Sequence, residues 1–280
     1  MGTVIANLLL QPQAWKAHSK MPAISRTLSS CAPPGLQEGT QEVTPERIYH
    51  ISGRLAPWLA GAAAFLCAVA LYFGFFVIPT HPYQGQHFRI AFLHFPSMWI
   101  SVVVYLVMAA SSGYGLLTGE RIASMLASSL APTGALLAFL ALWTGSLWGK
   151  PIWGTWWVWE ARLATEMLVL FLFLGFIALH EAIDDYRRAD RASGVLALVG
   201  IVGLPLLYFS VYRWSLHYGT STRTLPAPTD GTSTVATALL VMSIGLCAYA
   251  GAATLTRLRN EILKRERSSD WVAKQFREES

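Results

Sequence analysis

Long apolar runs, separated by short segments that hold nearly all the charge, set the pattern of this chain. Six runs stand out: Leu55–Ile78, Ile90–Leu117, Ile122–Gly149, Leu163–Leu179, Ala192–Tyr212 and Thr232–Thr256. A helix needs about 20 apolar residues to cross the hydrocarbon layer, and all but the fourth reach that length; the fourth also contains an acid, Glu166. Barrel strands need only about 10 residues and alternate in polarity, so the pattern predicts helices, which pair every backbone group within the segment. Pro132 and Pro205 fall inside the third and fifth runs, where each removes a backbone hydrogen bond.

The flanks predict an orientation. With the N-terminus inside, the inner side carries Arg47, Arg54, Arg121, Arg187, Arg188, Arg191, Arg257, Arg259, Lys264, Arg265 and Arg267. The outer loops carry only Arg89, Lys150, Arg162, Arg213 and Arg223. Cytoplasmic loops hold the excess of Lys and Arg. The expected architecture is therefore an all-α polytopic membrane protein with six transmembrane helices and both termini cytoplasmic. Its expected outer loops are 79–89, about 148–163 and about 213–231. Residues 1–53 read as a disordered extension or a start assigned too early, residues 54–256 as the membrane domain, and residues 257–280 as a charged cytoplasmic tail.

Composition agrees with this reading. Of 280 residues, 54% are hydrophobic and 13% charged, against about 25% charged in a soluble domain, and the mean hydropathy is +0.42. The net charge of +5 sits beside apolar runs rather than in a polar basic stripe, which argues against nucleic acid as a partner. Cys31, Cys67 and Cys247 form neither CxxC nor CxxCH, so thiol redox work and covalent c-type haem attachment are both unsupported.

The second outer segment, 148–162, concentrates the candidate chemistry. Trp148 is followed by Trp153, Gly154, Trp156, Trp157 and Trp159, and then by Glu160. An interfacial aromatic belt accounts for one or two Trp per helix end, not for this density. Indoles offer broad surfaces for stacking on a planar ring, and glycines permit close approach. A flat aromatic ligand such as haem fits that description. Two histidines on the same predicted side are candidate iron ligands: His94, in His94-Phe95-Pro96 with Pro96 suited to a helix's first turn, and His217, in the third outer loop. His81 and His87 are rivals without a motif, while His18, His50 and His180 lie elsewhere. Any of the outer cations could pair with haem propionates, although Arg162 and Glu166 also form an i,i+4 helix pair.

The segment from Trp153 to Arg162 resembles the tryptophan-rich "WWD" signature of haem-handling proteins in cytochrome c maturation. Among these it is most similar to the haem exporter protein C (CcmC) family. The similarity extends over residues 55–256 and takes in Trp148-Gly149-Lys150-Pro151, Asp184-Asp185 and both outer histidines. The resemblance implies non-covalent, b-type haem with His94 and His217 as axial ligands and the Trp segment as a platform. It implies a place in the bacterial cytoplasmic (inner) membrane, with haem presented on the periplasmic side to the haem chaperone CcmE. The ABC transporter subunits CcmA and CcmB and the small membrane protein CcmD would be partners. Glu160 stands where the signature has Asp, one methylene longer.

No nucleophile–base constellation is visible, so a holder rather than an enzyme is expected. Three other classes fit the sequence less well. A haem lyase of the CcsA or CcmF type generally has more spans. A haem or solute permease would want ionisable groups at mid-membrane. A b-type electron carrier would place histidine pairs within its helices.

Overall fold

The computed structural model describes residues 44–80, 84–159, 161–218 and 232–278. Among them there is no strand. The chain runs through α1 (Pro45–Tyr72), a π-helical turn (Phe73–Val77), a 3-10 turn (Gln86–Ile90), α2 (Ala91–Thr118), α3 (Arg121–Trp153), α4 (Ala161–Glu181), α5 (Tyr186–Tyr218), α6 (Thr232–Arg265) and the short α7 (Asp270–Glu278).

Local chemistry sets several of these ends. Thr44 caps α1, its hydroxyl accepting from the Arg47 amide, and Pro45 takes the first helical position. Gly119 closes α2 in the left-handed region, at φ 75°; only Gly119 and Glu120 separate α2 from α3, which forces the two helices to run antiparallel. Five helical stretches among the described residues are long and apolar enough to cross a membrane: Pro45–Val77, Gln86–Thr118, Arg121–Trp153, Leu163–Glu181 and Thr234–Arg265. The remaining apolar run, 192–212, is helical throughout within α5. Large apolar side chains such as Trp58, Phe65, Phe139, Val202 and Ile244 point outward, as a lipid-facing surface requires. The chain is an all-α polytopic membrane protein.

The interior is built mainly from α2, α3, α4 and α5. Tyr105, Met108, Leu137, Val169 and Phe173 are fully enclosed. The Tyr105 hydroxyl donates to the Ala197 carbonyl at 2.9 Å, and its ring meets Phe173 edge-on at 5.3 Å. α1 packs chiefly on α6.

Three expectations about element ends change. α3 runs on to Trp153, so Trp148–Trp153, expected in a loop, are helical. Pro151 does not stop the helix; the Gly154 amide still bonds the Lys150 carbonyl at 3.0 Å, and Gly154 at φ 73° turns the chain out. α5 likewise continues to Tyr218, which puts the backbone of His217 in its last turn rather than in a loop. Pro96 is the sixth residue of α2, inside the helix, because helical geometry already begins at Ala91.

Candidate functional site

Three helices meet at the Trp-rich end around a small, partly open cavity. Helical spacing decides which residues face it. α2 offers His94 and Met98, α3 offers Ala141, Gly145, Trp148 and Ile152, and α4 offers Leu163 and Glu166. Trp153 and Gln84 complete the lining.

His94 is the half-buried imidazole of this cavity. Its Nδ1 lies 2.9 Å from the Ala141 carbonyl oxygen and 3.2 Å from the Thr144 hydroxyl. A carbonyl only accepts, and the Thr144 hydroxyl uses its proton within α3, where it reaches the Leu140 carbonyl at 2.7 Å. Nδ1 therefore carries the ring proton, which makes Nε2 the basic nitrogen. Gly145 permits this approach: a Cβ there would sit 2.9 Å from His94 Cε1. Trp148 braces the ring edge-on at 5.8 Å and meets Phe95 at 5.4 Å.

The remaining aromatic residues of the signature are not all gathered here. Trp153 lines the cavity with Trp148, whereas Trp156 and Trp159 are 56% and 76% exposed. Trp157 packs edge-on against Trp159 at 5.5 Å, and the Thr155 hydroxyl, donating to the Trp157 carbonyl at 3.1 Å, shapes the turn. The indole nitrogens of Trp148 and Trp157 are buried without a partner. Gly154 is needed for its positive φ and not for close approach, since a Cβ there would meet nothing within 4 Å; Gly149 is the glycine that an indole crowds, with Trp153 Cε3 at 2.9 Å from its notional Cβ. Glu160, His81 and Arg223 lie outside the described residues, as do the side chains of His217, Arg162 and Arg213.

Two of the outer cations have local partners. Arg89 donates to the Phe75 carbonyl and lies over the Phe75 ring. Lys150 Nζ donates to the Gly154 carbonyl at 3.0 Å and lies 5.7 Å from the Trp156 ring centroid. His87 is exposed on the 3-10 turn.

Two residues of this cavity escaped sequence reasoning. Gly145 looked like one small residue in an apolar run. Glu166 was paired with Arg162, yet its Oε1 meets the Ser101 hydroxyl on α2 at 2.7 Å. The signal available for Glu166 was its place as the one acid of an otherwise apolar span.

With a histidine, an apolar wall and a tryptophan-rich turn assembled at one end of the bundle, comparison with known proteins becomes decisive. The family model described as "Heme exporter protein C" matches residues 40–273. The chain belongs to that family. It is 41% identical over 234 residues to heme exporter protein C of Escherichia coli K12, covering 83% of this chain and 94% of the relative. With heme exporter protein C of Haemophilus influenzae it shares 38% over 229 residues, 81% of this chain and 93% of the relative. A ccmC-like mitochondrial protein of cytochrome c biosynthesis from Marchantia polymorpha shares 38% over 171 residues, 61% and 72% of the two chains. The family match starts at residue 40 and takes in all six long helices and the first four residues of α7.

Proposed function

We propose that this protein binds haem non-covalently at the outer face of the bacterial inner membrane and presents it to the periplasmic chaperone CcmE during cytochrome c maturation. Membership of the haem exporter protein C family supports that reading. The observation that carries it is the state of His94, whose Nδ1–H is fixed by the Ala141 carbonyl on a cavity wall. Metal-ligating histidines commonly donate their second ring N–H to a carbonyl in this way, which fixes the tautomer and raises ligand basicity.

The residues present fit a porphyrin. The cavity is lined mostly by apolar and aromatic side chains, and Trp148 brings to it a buried indole N–H without a partner. Bound haem would supply an iron that imidazoles can ligate, and His94 and His217 are the residues that would hold it. Trp148 and Trp153 hold the ring edge, and the turn from Gly154 to Trp159 leaves an exposed aromatic face toward the chaperone. Six spans with both termini cytoplasmic would put these groups on one side of the bilayer. CcmA, CcmB and CcmD are the proposed membrane partners, and the protein itself performs no bond chemistry.

Purification with bound haem tests the proposal. His94→Ala and His217→Ala are expected to lose co-purified haem and its low-spin absorbance. Full haem content with an unchanged spectrum in both variants rejects the axial pair.

A further inference from the structure

Two short contacts at Ser101 locate a proton. The Ser101 hydroxyl oxygen lies 2.7 Å from the Met98 carbonyl oxygen and 2.7 Å from Glu166 Oε1. A serine hydroxyl has one proton to give and a carbonyl has none. At 2.7 Å each, both contacts are full two-centre hydrogen bonds only when the third group, Glu166, supplies the second proton. An ionised Glu166 would set two acceptors against one hydroxyl proton, which could be shared only at the cost of longer, bent contacts. The surroundings agree, for Glu166 is 4% exposed, Ser101 is wholly enclosed, and none of the described residues lining the cavity is Lys or Arg. His94 is the other titratable group on that wall.

We propose that Glu166 is a neutral carboxylic acid that donates to Ser101 and forms an uncharged polar floor beneath His94. A floor of this kind ties α4 to the His94 face of α2 without putting a charge in a low-dielectric space, where an unpaired carboxylate is costly. It also fixes which part of a flat ligand enters: the apolar ring edge goes inward and acidic substituents stay outside. Glu166 thus acts on His94 only through Ser101, by holding the face of α2 that carries both, and is a positioning residue in that sense. Its link to haem rests on the proposed function, whereas its protonation state does not.

The test uses the full chain in detergent, first free of haem. The infrared difference between the wild type and Glu166→Gln is expected to contain the C=O stretch of a protonated carboxylic acid, and Ser101→Ala is expected to shift that band. A carboxylate pair lost in its place overturns the proposal. With haem bound, Glu166→Gln keeps the haem and leaves its reduction midpoint unchanged, since an amide can donate to Ser101 as the acid does. Glu166→Ala, which removes the donor to Ser101 and the tie between α4 and α2, weakens haem retention about tenfold. A raised midpoint in Glu166→Gln, as expected on removing a negative charge near the iron, overturns the proposal. So does equal haem loss in the Gln and Ala variants. A wild type that takes up no haem would reject the proposed function while leaving the infrared result readable.

Discussion

At the Trp-rich end of the bundle, His94 gives its proton to a backbone carbonyl and a hydroxyl inside an apolar cavity. About 25 Å away along α4, by the helical rise from Leu163, His180 sits among ions. Its Nε2 lies 3.1 Å from Asp190 Oδ1 and 3.2 Å from Arg265 Nη2, and Arg265 forms a two-point pair with Asp190 at 2.7 and 3.0 Å. Arg265 also reaches Glu261 at 2.5 Å, and the His180 ring stacks on Phe176. The nitrogen that could serve a ligand is committed to side chains at this end. One imidazole gives its proton to a carbonyl on a cavity wall, and charged partners make the other a clamp joining α4, α5 and α6.

The largest expected effect breaks the clamp. Arg265 is 7% exposed in its side chain, and Arg265→Ala leaves Asp190 and Glu261 without their cation. Removing one partner of a buried pair costs about 3 kcal/mol, so the melting temperature should fall clearly while haem content holds. Equal loss of haem would show that the two ends are not independent. Next comes Gly145→Ala, which puts a methyl 2.9 Å from His94 Cε1 and 3.2 Å from Leu163 Cδ2. The ring must leave the Ala141 carbonyl, and haem retention should drop about tenfold with loss of low-spin absorbance. Unchanged haem there would detach His94's posture from binding.

Acid acts on the clamp by itself. Burial raises the Asp190 carboxyl's pKa, but the bonds from His180 and Arg265 outweigh burial and hold it below the ordinary carboxylate value. A carboxyl depressed in the folded state stabilises the fold above its unfolded pKa, about 4, and loses that contribution as pH falls through the folded value. The melting-temperature advantage of the wild type over Asp190→Asn should therefore be full near neutrality and shrink below about pH 4. An advantage independent of pH would mean that shape, not charge, holds this end.

The two ends also differ in what the sequence revealed. Runs with no charge, or in the fourth case a single acid, located the six long helices among the described residues, because excluding ions from hydrocarbon is a property of composition. They understated the ends, since backbone helix continues past the first charge: Thr232–Thr256 became α6 to Arg265, and Ile122–Gly149 reached Trp153. His94 and Trp148 were visible as a histidine and an indole near a motif. Their partners were not. Ser101 and Glu166 are 65 positions apart, and the clamp joins residues 10 and 75 apart; nothing in one chain's pattern reports such pairings. Gly145 was hidden because its contribution is an absence of side chain, legible only once His94 is seen beside it.

The smallest effect is expected from Trp148→Phe, and it separates packing from binding. Trp148 is 7% exposed, its ring contacts to His94 and Phe95 are edge-on, and its indole nitrogen has no partner. Phenylalanine keeps much of the aromatic contact and removes the stranded donor. A buried donor without an acceptor costs about 1 kcal/mol or more, so the haem-free variant should melt no lower than the wild type despite its smaller ring. If that donor waits for a group on the ligand, haem retention should still fall about fivefold, the equivalent of one ordinary hydrogen bond. Stability and retention moving in opposite directions would assign the N–H to the ligand. Moving together, they would make Trp148 a brace for His94 and nothing more.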